Sequence, residues 1–224
     1  MKQLPIEDWK TFEDLLTPES TCIDVGAHGG AWTVPLSKRC TKGTVYAIEA
    51  LPYYADVLRI TLSLLFRTRN VKLFNNAVSD KAGVVSLRYK DKKGRLLTGM
   101  THVSSSGKEQ DTIDVECLSL DQFAEKERIE KLDFIKIDVE GFELFVLRGA
   151  STILKKFKPA VYCEIMSKWT ERYQYQPADI FKFMTDTGYK IYYINKNKKL
   201  EFFAQNETVL PSQNFLFIHP ESGK

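Results

Sequence analysis

This sequence predicts a doubly wound α/β fold with a mainly parallel sheet, and three observations predict it. Short β-branched runs alternate with helix-like runs along most of the 224 residues. One such run, Thr21-Cys-Ile-Asp-Val25, ends in the glycine turn Gly26-Ala-His-Gly-Gly30 and opens a helix. Another, Asp133-Phe-Ile-Lys-Ile-Asp-Val-Glu-Gly-Phe-Glu143, is an apolar strand ending in two acids, Asp138 and Glu140. Acids at the carboxyl end of a buried strand are costly unless they act, and that edge is where open α/β sheets bind ligands.

Taken in order, residues 6–16 read as an amphipathic helix with Trp9, Phe12, Leu15 and Leu16 on one face. The Thr21–Val25 strand leads through its glycine turn to a helix over Thr33–Lys38. Gly43-Thr-Val-Tyr-Ala-Ile-Glu49 is a second strand with an acid at its end. Pro52 suits the first turn of a helix running to about Phe66. Val71–Asn75 is a third strand, continued by Asn76–Asp80. Val84–Tyr89 and Thr112–Leu118 read as additional antiparallel strands. The polar stretch Lys90–Asp111 between them is a long loop, of the kind that is functional or disordered. Leu120–Glu130 is helical, and a helix from Phe142 to about Phe157 follows the two acids. Pro159–Ile165 is a strand, Pro177–Thr187 a helix, and Tyr189–Ile194 and Phe215–His219 are strands. The last two, with no helix between them, predict an antiparallel hairpin at the sheet edge.

Bulk composition excludes more than it selects. With 43% hydrophobic and 27% charged residues, the chain suits one α/β domain over residues 1–224, with 1–19 as a helical lead-in. A net charge of +3 is too small to argue for nucleic acid. Cys22, Cys40, Cys117 and Cys163 form no metal-type pair and read as buried thiols of a reducing compartment. Neither a signal-type segment nor a membrane-length apolar run stands out, so the expectation is a soluble, cytoplasmic protein.

Asp24, the Gly26–Gly30 turn and Glu49 form a nucleoside-type arrangement. Glycines admit close approach, and an acid after the second strand can accept hydrogen bonds from ribose hydroxyls. Counting from Gly26, His28 and Ala31 stand where the dinucleotide fingerprint needs glycine, which disfavours nicotinamide. Asp24 suits a cationic ligand better than a pyrophosphate. Together these residues point to S-adenosylmethionine.

The chain also resembles a known family. Cys22-Ile-Asp-Val-Gly-Ala-His-Gly-Gly-Ala-Trp-Thr33, Ala47-Ile-Glu49, Asn76–Asp80, Leu118-Ser-Leu-Asp121, Ile135–Glu143, Leu147-Arg-Gly-Ala150 and Pro159–Glu164 resemble the FkbM-type methyltransferases, with a weaker echo at Asn214–Phe217. The resemblance implies a Rossmann-like class I methyltransferase fold with an antiparallel strand near its end. It implies O-methylation, often of a sugar or natural-product hydroxyl. It carries Asp24, Gly26, Gly30, Glu49, Asn76 and Ala77 over to cofactor binding, with Ala77 acting through its backbone near the adenine; Ala27 and Asp138 are further cofactor candidates, and His28 either touches the ligand or caps the turn. The family commonly has Asn at position 28 and Pro at position 50, where this chain has His28 and Ala50.

A sugar hydroxyl needs a base, or a metal that lowers its pKa. In one version Asp138 or Glu140 is the base. In the other, Asp138 and Glu164 help hold Mg²⁺ while Glu140 takes the proton; the second metal strand lacks a paired ligand, because Ile165 follows Glu164. Lys136 shares a strand face with Asp138 and reads as a structural partner of one acid. His102 and Ser104-Ser-Ser106 in the long loop, and Trp169, Tyr173 and Tyr175 after Glu164, are the candidate acceptor contacts. The expected acceptor is a saccharide or glycan, with a polyketide or other small natural product as the alternative. A catalytically silent cofactor-binding module is a further rival.

Overall fold

Strands with no polar face need cover on both sides, and the order of elements provides it. In the computed structural model, which describes residues 6–66, 68–91, 93–97, 100–104, 111–204 and 210–222, the first half runs α1 (Ile6–Phe12), β1 (Cys22–Val25), α2 (Thr33–Arg39), β2 (Val45–Ile48), α3 (Pro52–Ile60), β3 (Val71–Phe74) and β4 (Ala77–Val78). It continues through β5 (Gly83–Arg88), β6 (His102–Val103), β7 (Thr112–Leu118), α4 (Leu120–Lys126), β8 (Phe134–Ile137), α5 (Glu143–Arg148) and α6 (Ser151–Phe157). The remainder is β9 (Ala160–Glu164), α7 (Ser167–Thr170), α8 (Pro177–Asp186), β10 (Lys190–Ile194), β11 (Leu200–Phe202) and β12 (Asn214–Ile218).

One eight-stranded sheet has the order β11-β10-β12-β9-β8-β1-β2-β3. Every residue of β1, β2 and β8 is buried. Neighbours from β3 to β9 pair in parallel, and β12 pairs antiparallel with both β9 and β10. The expected antiparallel pairing of Tyr189–Ile194 with Phe215–His219 is present, but β12 lies inside the sheet, so its place at the edge is corrected. The edge hairpin is formed instead by β10 and β11. The predicted antiparallel pair of β5 and β7 is present, within a second sheet of order β4-β7-β5-β6. Part of the 90–111 loop thus forms β6; residues 92, 98–99 and 105–110, with Ser105 and Ser106 among them, lie outside the described residues.

Two expectations change for local reasons. The lead-in helix tightens to a 3₁₀ turn at Glu13–Leu15, which leaves Leu15 46% exposed while Trp9, Phe12 and Leu16 stay buried. The single helix expected from Phe142 is two, broken at Gly149-Ala150. There the Asp121 amide donates to the Gly149 carbonyl, and a Cβ on residue 149 would meet the Ser79 carbonyl at 2.1 Å. The Asp121 carboxylate then accepts from the amides of Thr152 and Ile153 at 2.9 Å each, capping α6. Three of the family-like segments, around Ser79, Asp121 and Gly149, therefore meet at one structural junction.

Candidate active site

Strand register puts the polar residues of the main sheet in rows. Asp24, Lys136, Tyr162 and Leu216 are paired neighbours across β1, β8, β9 and β12. Side chains alternate along a strand, so residues two further toward the carboxyl edge share the same face. Asp138 and Glu164 lie there, and Asn214 is paired directly with Glu164. Above this row opens a cavity of about 810 Å³, lined by Gly26, Ala27, His28, Glu49, Asn76, Ala77, His102, Lys136, Asp138, Glu140 and Glu164, among others. The size is that of a cofactor-plus-substrate site. Its described lining carries four carboxylates against one ammonium, Lys136.

Each acid is held differently. Glu49 accepts the His28 amide at 2.7 Å and the Leu51 amide at 2.8 Å, which clips the glycine turn to the end of β2. Burial raises its pKa, and those two amides oppose the rise. Glu140 is 9% exposed and sits at φ +54°, and His28 sits at φ +46°. Left-handed backbone is costly for a residue such as Glu and persists where the surrounding structure holds it; Lys158 and Gln174 adopt it at helix ends, whereas Glu140 and His28 adopt it beside the cavity. The Glu140 carbonyl accepts from Arg172 Nη1 at 3.3 Å. Lys136, 3% exposed, places Nζ 3.0 Å from Asp138 Oδ2. Burial works against its charge, but Asp138 and Asp24 more than compensate and raise its pKa.

Several predicted contacts are placed elsewhere. Asp24 is fully buried beneath the cavity, where Oδ2 accepts the Thr33 hydroxyl at 2.6 Å. It acts on the site through charge, near Lys136, and burial raises its pKa. Gly30 is absent from the lining; its Cα packs against Leu58, which a Cβ would meet at 2.7 Å. Gly26 lines the cavity at φ +78°, but its missing side chain serves the protein. A Cβ there would stand 2.0 Å from the Asp138 carbonyl, so glycine brings the two catalytic-edge loops together.

Ser104, Trp169 and Tyr173 also lie outside the described lining, whereas His102 is in it. The Ser104 amide donates to Ser86 within the second sheet. The 166–175 segment supports the acid loop from behind. The Trp169 carbonyl packs on Gly141, where a Cβ would meet it at 2.4 Å, and the Tyr175 hydroxyl donates to the Gly141 carbonyl at 2.8 Å. The Tyr173 hydroxyl donates to the Val103 carbonyl at 2.8 Å. The hydroxyls of Tyr173 and Tyr175 are spent on backbone, and neither Trp169 nor Tyr173 is in the described lining, which speaks against the acceptor role expected of them.

The Mg²⁺ version does not fit. The Lys136 ammonium already binds Asp138 and also lies close enough to Glu164 to feel its charge. A divalent ion between those two carboxylates would face that ammonium at short range. Among the described residues no group of three His, Cys, Asp or Glu side chains is placed to hold a metal.

Other lining residues were not singled out from the sequence: Trp32, Tyr54, Tyr162, Gln213 and Asn214. The Tyr54 ring lies against His28 at a 41° tilt, with ring centroids 3.9 Å apart. Strand alternation from Glu164 back to Tyr162 points to that residue. The family-like echo beginning at Asn214 marks the start of β12.

With this geometry in place, comparison with known proteins is decisive. The family model described as Methyltransferase FkbM domain matches residues 24–191, three quarters of the chain. The chain belongs to the FkbM methyltransferase family. A curated relative, the methyltransferase sdnD of Sordaria araneosa, is 27% identical over 154 residues, which are 57% of this chain and 59% of the relative. The FkbM fold is also seen in a solved FkbM methyltransferase of Methylobacillus flagellatus, at TM-score 0.57 and 15% identity over 91% of this chain and 44% of that one. This chain therefore spans about half to three fifths of these two relatives. A Geobacter metallireducens precorrin-6y C5,15-methyltransferase (TM-score 0.50, 14% identity, 97% and 90% covered) and a Streptococcus thermophilus rRNA methylase (0.51, 13%, 98% and 98%) share the fold. Acceptors that different on one architecture mean that the fold does not choose the acceptor. No described helix is long and apolar enough to cross a membrane.

Proposed function

We propose that this FkbM chain transfers a methyl group from S-adenosylmethionine to a hydroxyl of a saccharide or glycan. The observation that carries the reading is the acid-lined cavity at the carboxyl edge of β1, β2, β8 and β9, with Glu140 held toward it in a strained backbone. Four carboxylates against one ammonium make a wall that favours a cationic ligand over a phosphate. S-adenosylmethionine, when bound, supplies a methyl group on a positively charged sulfur. The residues present fit it: Glu49 for the ribose hydroxyls, the 26–28 turn for the amino-acid end, and the Asn76-Ala77 edge for the adenine.

The chain's own work is alignment and proton removal. Glu140 accepts the proton of the acceptor hydroxyl as the oxygen–carbon bond forms and the carbon–sulfur bond breaks, its electron pair staying on sulfur. Asp138, fixed by Lys136, orients the reacting groups, and Lys136 balances charge that would otherwise accumulate among Asp24, Asp138 and Glu164.

The reading is tested with methyl-labelled S-adenosylmethionine and a panel of methyl glycosides, nucleotide sugars and sugar-free macrolides, with a metal chelator present throughout. Label entering glycosides or nucleotide sugars in the chelator is the expected result. Label entering only the sugar-free compounds would overturn the saccharide assignment, and loss of transfer on chelation would overturn the metal-free mechanism.

A further inference from the structure

We propose that Gln213 and Asn214, at the start of β12, read the acceptor, and that the part they read is an uncharged polyhydroxylated ring. The inference rests on the methyl-transfer reading above and adds the residues that select the substrate. Because β12 runs against its neighbours, its first residues lie at the same sheet edge as the last residues of β9, and Asn214 pairs with Glu164. Their backbone is fixed there: the Ile165 amide donates to the Gln213 carbonyl at 2.6 Å, and the Asn214 amide donates to Ser212 Oγ at 3.0 Å. Both residues line the cavity, and neither side-chain amide takes a hydrogen-bond partner among the described residues.

Position assigns them to the acceptor. The ribose acid Glu49 ends β2, and Asn214 begins β12, four strands away in the sheet. At strand spacings of about 4.8 Å that is roughly 19 Å, and Asp138 lies midway. A cofactor anchored at Glu49 with its methyl group near Asp138 leaves the β9–β12 end for the second substrate.

Chemistry assigns the class. A side-chain amide both donates and accepts, as does a hydroxyl, so two amides beside the Glu164 carboxylate match a ring bearing neighbouring hydroxyls. Trp32 and Tyr162, ring centroids 4.7 Å apart, give this end an aromatic wall. The one ammonium in the described lining, Lys136, has a side chain only 4% exposed and paired with Asp138, so the described lining offers no free Lys or Arg to a phosphate or carboxylate on the ring.

The experiment uses the methyl glycoside that wild-type protein methylates fastest. Gln213→Ala and Asn214→Ala are compared with wild type for KM and kcat toward it and for S-adenosylmethionine affinity by titration. Asn214→Ser is the second variant if Asn214→Ala folds poorly. The expected result is a KM raised about tenfold with kcat and cofactor affinity nearly unchanged, the effect of losing hydrogen bonds to bound substrate. Lys182→Ala, on the exposed face of α8, should leave KM unchanged. Unchanged KM in both amide variants, with glycosides still methylated, overturns this inference alone. Methylation of no glycoside by the wild type overturns the underlying reading and this inference with it.

Discussion

Glu143 is a carboxyl group in the core, 1% exposed, and its surroundings define its role. Oε1 accepts the amides of Val139 and Gly141 at 3.2 and 3.0 Å, and Oε2 faces the Tyr175 hydroxyl. It holds the acid loop in shape and is not among the residues that line the cavity. Burial pushes its pKa up to about 7. The folded state thus binds this proton more tightly than the unfolded state. The stability this contributes is complete below about pH 4.5 and is lost as pH rises through about 7. Wild type should therefore lose up to roughly 3 kcal/mol relative to Glu143→Gln across that window. Melting curves of the two proteins between pH 5 and 8 check this; parallel curves would contradict it. The acids Glu49, Asp138, Glu140 and Glu164 were legible in the sequence because each follows an apolar strand. Gln213 and Asn214 were not singled out as site residues, because they stand at the beginning of their strand and only an antiparallel course brings them to the same edge.

At the scale of elements, the two turns that make the site are held against each other by a glycine. Gly26 at φ +78° approaches the Asp138 carbonyl more closely than any side chain permits. Gly26→Ala must therefore both adopt left-handed backbone, at about 1–3 kcal/mol, and separate the loops. The expected outcome is a lowered melting temperature together with weakened S-adenosylmethionine binding; scanning calorimetry and titration check both, and an unchanged affinity would contradict the loop-joining role. The glycine's importance could be read from the sequence, but its reason could not. A turn glycine that admits a ligand and one that admits a neighbouring loop look alike until the loops are placed. The same holds for the helix expected from Phe142 to Phe157. Its apolar pattern runs through Gly149, and the break comes from Ser79 and Asp121, remote in sequence.

At the scale of the molecule, the parallel course of the central strands follows from alternating β-branched and helical runs, so the fold class could be read early. The position of β12 inside the sheet could not, since two strands joined by a loop satisfy local rules as an edge hairpin equally well. Sheet order then gives the cavity its two ends, with Glu49 and the glycine turn on one side and Glu164, Gln213 and Asn214 on the other. Glu140 and Asp138 lie between them, and the buried Lys136 is paired with Asp138, one of the two acids that the Mg²⁺ version of the mechanism needs. Glu140 as the acceptor's base is tested most directly by comparing wild type and Glu140→Gln in labelled methyl transfer to the preferred glycoside, with S-adenosylmethionine affinity titrated in parallel. A fall in kcat of about 100-fold or more, with cofactor affinity nearly unchanged, is the predicted result; near-normal turnover by Glu140→Gln would contradict it.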